Sequence, residues 1–239
     1  MKHQYHWLGK ITFVLFLVGF LFSCRAKVDR STEQSQAIAQ EQQKEPTISY
    51  GDLIIKEQSD YVMIPVNVQE SNREKASILD SSRSYKENYS PLYNLIFYRK
   101  QDGETHLLLD KKAIINTYEW IETKSAGKPP TRVWLYRIID QDTNKDKKLD
   151  SQDAVIGYIS DVSGKNLQQV TPQNTKVLNW VVLPSQNAVF IRIIKDSNGD
   201  NKFTSADKTN FVRVSLEQPK MGTEIISESI EQKIKSYLK

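Results

Sequence analysis

Two stretches of the chain space oxygen-bearing side chains as a hard cation needs them. The first, Asp142 to Asp153, carries Asp142, Asn144, Asp146, Asp150 and Asp153 at positions 1, 3, 5, 9 and 12. The second, Asp196 to Asp207, carries Asp196, Asn198, Asp200, Thr204 and Asp207 at the same positions. Alternate side chains of a tight loop turn toward one point, and calcium takes roughly six to eight oxygens there. Position 7 is lysine in both, Lys148 and Lys202. Carboxylates gathered in one loop repel each other unless a cation screens them. Asp- and Asn-rich runs between strands also make good turns unaided. Five donors repeated at matching positions, with an apolar position 8 in both (Leu149 and Phe203), point beyond turns to two calcium sites.

The spacing resembles the EF-hand calcium loop in its dockerin-like form, a likeness that implies a backbone carbonyl as the ligand at Lys148 and Lys202. That likeness implies a turn at position 6 with positive φ, where this chain has Lys147 and Asn201. Asparagine tolerates that conformation, whereas lysine loses on the order of 1 kcal/mol. Position 12 is Asp in both loops, a shorter reach than the usual Glu. The flanks read as strands, so no helix pair exists to open, and the metal is expected to stabilise rather than switch.

Other chemistry is sparse. Outside the first 24 residues the chain has one histidine, His106, and no cysteine, which excludes Cys/His zinc sites, disulfide frameworks and Cys/His nucleophile pairs. No Gly-x-Ser-x-Gly, phosphate-binding glycine loop or His-Glu-x-x-His occurs. Ser125-Ala126-Gly127-Lys128 matches Ser-x-x-Lys but lacks its companion motifs. Glu119 and Glu122, three apart on a strand, fall on opposite faces and read as solvated edge residues. Trp120, Trp134 and Trp180 lie inside apolar strands and read as core. With 33 Lys and Arg against 29 Asp and Glu, the net charge of +4 is too mild for a nucleic-acid binder.

The N-terminus reads as an address. Lys2 and Lys10 precede an apolar run from Ile11 to Phe22, which closes on Leu21-Phe22-Ser23-Cys24. Twelve helical residues span about 18 Å, short of the ~30 Å hydrocarbon core, so the run suits a signal peptide better than a span. Its end resembles the bacterial lipobox, which implies cleavage before Cys24 and lipidation of that cysteine. Residues 1–23 are thus expected to be a signal peptide, and 24–47 a lipidated, polar tether with a reach of roughly 25 Å. Arg25 stands where inner-membrane retention signals of such lipoproteins place Asp, a resemblance that points to the outer membrane.

The elements that must hold the loops lie in residues 48–239. Short β-branched and aromatic runs at Tyr61–Val68, Leu95–Arg99, His106–Leu109, Ile114–Ile121, Val133–Ile139, Val155–Val162, Val177–Leu183, Ala188–Ile194 and Phe211–Leu216 are strand-length. Gln101-Asp102-Gly103-Glu104 joins two as a hairpin turn. No long 3.6-residue pattern separates them, so the body is expected to be all-β and antiparallel. Ile226, Ile230, Ile234 and Leu238, behind a Ser227 N-cap, predict a C-terminal amphipathic helix. Ser71–Pro91 reads as a long polar excursion.

The loops begin 54 residues apart (196 − 142), each between strands. Removing a 12-residue loop leaves a period near that of a four-stranded propeller blade, ~40–45 residues. Ile159-Ser160-Asp161-Val162-Ser163-Gly164, the run to Val170-Thr171-Pro172, Val177-Leu178-Asn179-Trp180, and Pro184 onward to Ile191 resemble TolB-type propeller repeats. The likeness covers about residues 133–217 and implies a meander of propeller-like blades, at most four, in an incomplete ring. The expected protein is a lipid-anchored, calcium-stabilised, non-catalytic binding or assembly module of the bacterial envelope. Its partners would be the membrane, through its lipid, and an envelope protein or glycan. A calcium-dependent envelope hydrolase using carboxylates is the competing expectation.

Overall fold

The computed structural model describes residues 46–69, 91–124 and 127–239. The signal peptide, Cys24 and nearly all of the tether, almost all of the polar excursion, and Ser125 lie outside the described residues.

Every apolar run named above contributes a strand. The first meander holds β1 (Thr47–Tyr50), β2 (Ile54–Ile55), β3 (Tyr61–Gln69), β4 (Leu92–Arg99) and β5 (Thr105–Leu107). The second holds β6 (Ile114–Thr123), β7 (Thr131–Ile139), β8 (Ile156–Ser160) and β9 (Gln168–Gln169). The third holds β10 (Thr175–Leu183), β11 (Ala188–Lys195), β12 (Lys208–Ser215) and β13 (Thr223–Glu224). All these strands pair antiparallel; β1 and β2 share one edge of β3, so the first meander is also four strands wide. The expected hairpin turn closes β4 onto β5, with Gly103 at φ 79° and the Arg99 N–H donating to the Glu104 carbonyl at 2.9 Å.

The first two meanders form one nine-stranded sheet, and the third forms a separate four-stranded sheet. The join within the larger sheet is narrow, a single register pair between Leu92 and Ile115. The architecture is therefore all-β and antiparallel with one helix. Three four-strand units occur among the described residues, without a closed barrel or propeller.

The units are held by their faces. One apolar cluster joins Ile121, Val133, Leu135 and Ile159 of the second meander to Val177, Val189, Ile191, Val212 and Val214 of the third. Another joins Met63, Leu95 and Phe97 of the first to Trp134, Tyr136 and Ile138 of the second. Successive residues of β7 thus point into opposite clusters. A strand buried on both faces reads as an unbroken apolar run, which is what Val133-Trp134-Leu135-Tyr136 is. All four are at most 6% exposed.

Helix α1 (Glu228–Tyr237) starts where expected, with the Ser227 hydroxyl accepting from the Ile230 N–H at 3.3 Å. Its apolar stripe is correctly spaced but unpacked. Ile230, Ile234 and Leu238 are all exposed, and no residue of the helix is buried.

Candidate metal centre

Both loops link the second and third strands of a meander, β7 to β8 and β11 to β12. Their internal hydrogen bonds match position by position. At position 1, Asp142 Oδ2 accepts from Lys147 N at 2.9 Å, and Asp196 Oδ2 from Asn201 N at 3.0 Å. At position 3, Asn144 Oδ1 and Asn198 Oδ1 each accept from the backbone N–H two residues on, at 3.0 Å. At position 5, Asp146 Oδ1 accepts from Lys148 N at 2.8 Å and Asp200 Oδ1 from Lys202 N at 2.9 Å. Short Asp and Asn side chains form these turns because their oxygens reach the main chain two to five residues ahead. The two sequences therefore fold the same way locally.

The backbone repeats as well. Position 6 takes the expected left-handed conformation, with Lys147 at φ 67° and Asn201 at 57°. Position 4 does too, with Lys145 at 62° and Gly199 at 75°. The second loop meets this with Gly and Asn, the residues suited to it, whereas the first holds two lysines there.

Position 12 behaves unlike positions 1, 3 and 5, and sequence reasoning did not foresee how. Asp153 is wholly buried and Asp207 nearly so, while the side chains at the other acidic positions are open or half-open to solvent. Asp153 Oδ1 accepts from Thr143 N at 2.8 Å and Asn144 N at 3.3 Å, and its Oδ2 from Asp150 N at 3.0 Å. Asp207 Oδ1 accepts from Ser197 N at 3.0 Å, and its Oδ2 from Thr204 N at 2.9 Å. Each carboxylate ties the loop's end to its start. The Thr204 and Ser197 amides hold the Asp207 carboxyl below the usual aspartate range.

The loops are neighbours. Lys176, at the start of β10, donates to the Ser151 carbonyl in the first at 2.6 Å and lies 5.9 Å over the Phe203 ring in the second. Val155, just past the first loop, bridges to Lys176 in parallel. The strand leading into the first loop is braced by Asp140, which accepts from Lys111 Nζ at 2.6 Å and Tyr158 Oη at 2.8 Å. Burial and that carboxylate push the Tyr158 hydroxyl well above the ordinary tyrosine value.

The donors fit a cation in part. Positions 1, 3 and 5 each keep lone pairs beyond those given to the backbone, and position 7 offers a carbonyl. The position 12 carboxylates already serve backbone N–H groups with both oxygens. Among the described residues, no three His, Cys, Asp or Glu side chains converge as a metal-holding group.

Position 8 has a visible task in the first loop. Leu149 joins Leu92, Ile114, Ile115 and Ile139 in lining a groove of about 560 Å³, which Lys147 and Lys148 also line. The remaining candidates are dispersed. Glu119 accepts from Trp180 Nε1 at 2.7 Å, and Glu122 pairs with Arg132 at 3.1 Å. His106 stacks on Phe97 at 5.6 Å and donates from Nε2 to the Ser163 carbonyl at 2.8 Å. Trp134 is core, with Trp120 edge-on to it at 5.1 Å. Trp180 is only partly buried and lies beneath the Arg137 guanidinium at 5.4 Å.

The chain matches no known protein family, no curated protein sequence and no solved structure. No helix among the described residues is long and apolar enough to cross a membrane.

Proposed function

We propose that this chain is a calcium-stabilised, non-catalytic binding or assembly module of the bacterial outer membrane, anchored by a lipid on Cys24. The observation that carries the metal reading is the duplication. Two loops with oxygen donors at the same five positions also share the same hydrogen-bonded turns and the same left-handed backbone at positions 4 and 6. Two unrelated turns have no reason to agree at that many positions. The ligands are Asp142, Asn144, Asp146, the Lys148 carbonyl, Asp150 and Asp153, and Asp196, Asn198, Asp200, the Lys202 carbonyl, Thr204 and Asp207.

A bound calcium supplies charge that screens the loop carboxylates and fixes each β7–β8 and β11–β12 connection. The three four-stranded units act as propeller-like blades in an incomplete ring, with the loops bracing the second and third. The anchor rests on the order of charge, apolar run and Cys24 in the sequence. A carboxylate hydrolase would need two acids facing one cleft. Glu119 and Glu122 instead engage Trp180 and Arg132.

Thermal unfolding in chelator and in millimolar calcium tests the reading. Binding to the folded state alone adds RT ln(1 + [Ca]/Kd), about 2.7 kcal/mol per site at 100 times Kd. The melting temperature should rise with calcium and much less with magnesium, which demands a tight octahedron. Superimposable curves would reduce the loops to turns closed by Asp153 and Asp207.

A further inference from the structure

We propose that the outer face of the first meander is a self-association surface, on which a second copy of this chain docks through the same face; this goes beyond the functional reading above. Strand pairing fixes which side chains share that face. Met63, Leu95 and Phe97 turn inward to the core. Their neighbours along each strand therefore turn outward. Ile55, Val62 and Tyr98 form one cross-strand row, and Ile64, Ile96 and Leu107 the next. β1 extends it with Ile48 and Tyr50, which pair with Val68 and Val66. No charged side chain stands in these rows.

An open sheet face of this composition is unusual for a surface that meets only water. Ile48, Tyr50, Ile55, Tyr98 and Leu107 are each between 39% and 65% exposed. Half-exposed Val62, Ile64, Val66, Val68 and Ile96 lie between them, so the face is one continuous apolar surface, and a standard interface draws on ~800 Å² per partner.

Two observations select a second copy as the occupant. A two-fold contact is self-complementary, with residue i meeting j and j meeting i, and side chains near the axis meet their own copies, so like charge there opposes docking. The first meander's outer face is free of such charge. The third meander's is not, because Arg192 and Arg213 stand among Phe190, Val181 and Phe211 on it. The chain also already joins its own meanders by aliphatic sheet faces, through the two clusters on either side of β7. A dimer through the first meander continues that stacking across the two-fold.

The test is the protein mass of the full chain in a single mild detergent, by light scattering after size exclusion, up to about 100 µM. The wild type should have twice the monomer mass. Leu107→Glu and Tyr98→Glu change exposed positions and should weaken association about 100-fold or more, with unchanged circular dichroism and with melting that matches the wild type at dilutions where the wild type is itself monomeric. Val181→Glu, on the third meander's outer face, should remain dimeric. A wild-type monomer across the range overturns the proposal and assigns the face to another protein or to a segment of the same chain. A dimer that survives both first-meander variants overturns it as well.

Discussion

Replacing Asp153 with Ala isolates what closes the first loop. The substitution removes a buried carboxylate that accepts from three backbone N–H groups, those of Thr143, Asn144 and Asp150. Leaving a buried donor without a partner costs roughly 1–3 kcal/mol, and hydrogen bonds to a charged group sit at the strong end of the range. The loop rim is open, so water recovers part of the loss. A net destabilisation of about 3 kcal/mol follows. Asp153→Asn keeps one acceptor oxygen but sets an amide donor against a backbone donor, so it should fall between Ala and wild type. Urea titration followed by tryptophan fluorescence, in excess chelator so that no ion contributes, measures this. At an m-value of roughly 1–3 kcal/mol per molar, the midpoint should fall by about 1–3 M. The equivalent Asp207→Ala loses two backbone partners instead of three and should lose less. A chelated Asp153→Ala protein within about 0.5 kcal/mol of wild type would refute the idea that this carboxylate closes the loop on its own.

Glycine substitutions separate backbone strain from crowding. Gly164→Ala should cost about 3 kcal/mol or more, because its φ is 79° and an added Cβ would overlap the Phe97 ring; Gly199→Ala, at φ 75° with nothing within 4 Å, should cost only about 1 kcal/mol. Urea midpoints should keep that order. The depressed carboxyl of Asp207 predicts an acid limb: its stabilisation is present above the ordinary aspartate value and is lost as pH falls through the lower folded value. Asp207→Asn should flatten that limb in melts taken below about pH 4. Cys24→Ala should move the protein from the detergent-extracted membrane fraction to the soluble one, and a variant that stays membrane-bound would exclude the lipid anchor.

Long strands were legible because burial selects β-branched and aromatic residues, as in Val177–Leu183 and Ala188–Ile194. The shortest ones were not. Gln168–Gln169 and Thr223–Glu224 are strands only through backbone pairing to a neighbour, and their side chains record nothing of it. The helix was legible in its Ser227 cap and four-residue spacing, yet spacing cannot say whether Ile230 and Ile234 find a surface. In the loops the turn-forming Asp and Asn were readable, and so was the left-handed turn at position 6. The same conformation at position 4 was signalled only by Gly199, because Lys145 carries no such mark. The closing role of Asp153 and Asp207 was hidden, since a position 12 carboxylate has the same letter whether or not it also ties the backbone. Trp180 was read as core, but its indole N–H needs a polar partner, and Glu119 holds it at the edge.

Titration calorimetry of calcium into the full chain tests the central claim most directly. Two equivalents should bind to the wild type, one to Asp142→Ala, one to Asp196→Ala and none to the double variant. Absence of binding heat together with identical melting in chelator and in millimolar calcium, or a stoichiometry unchanged by either substitution, would contradict the account.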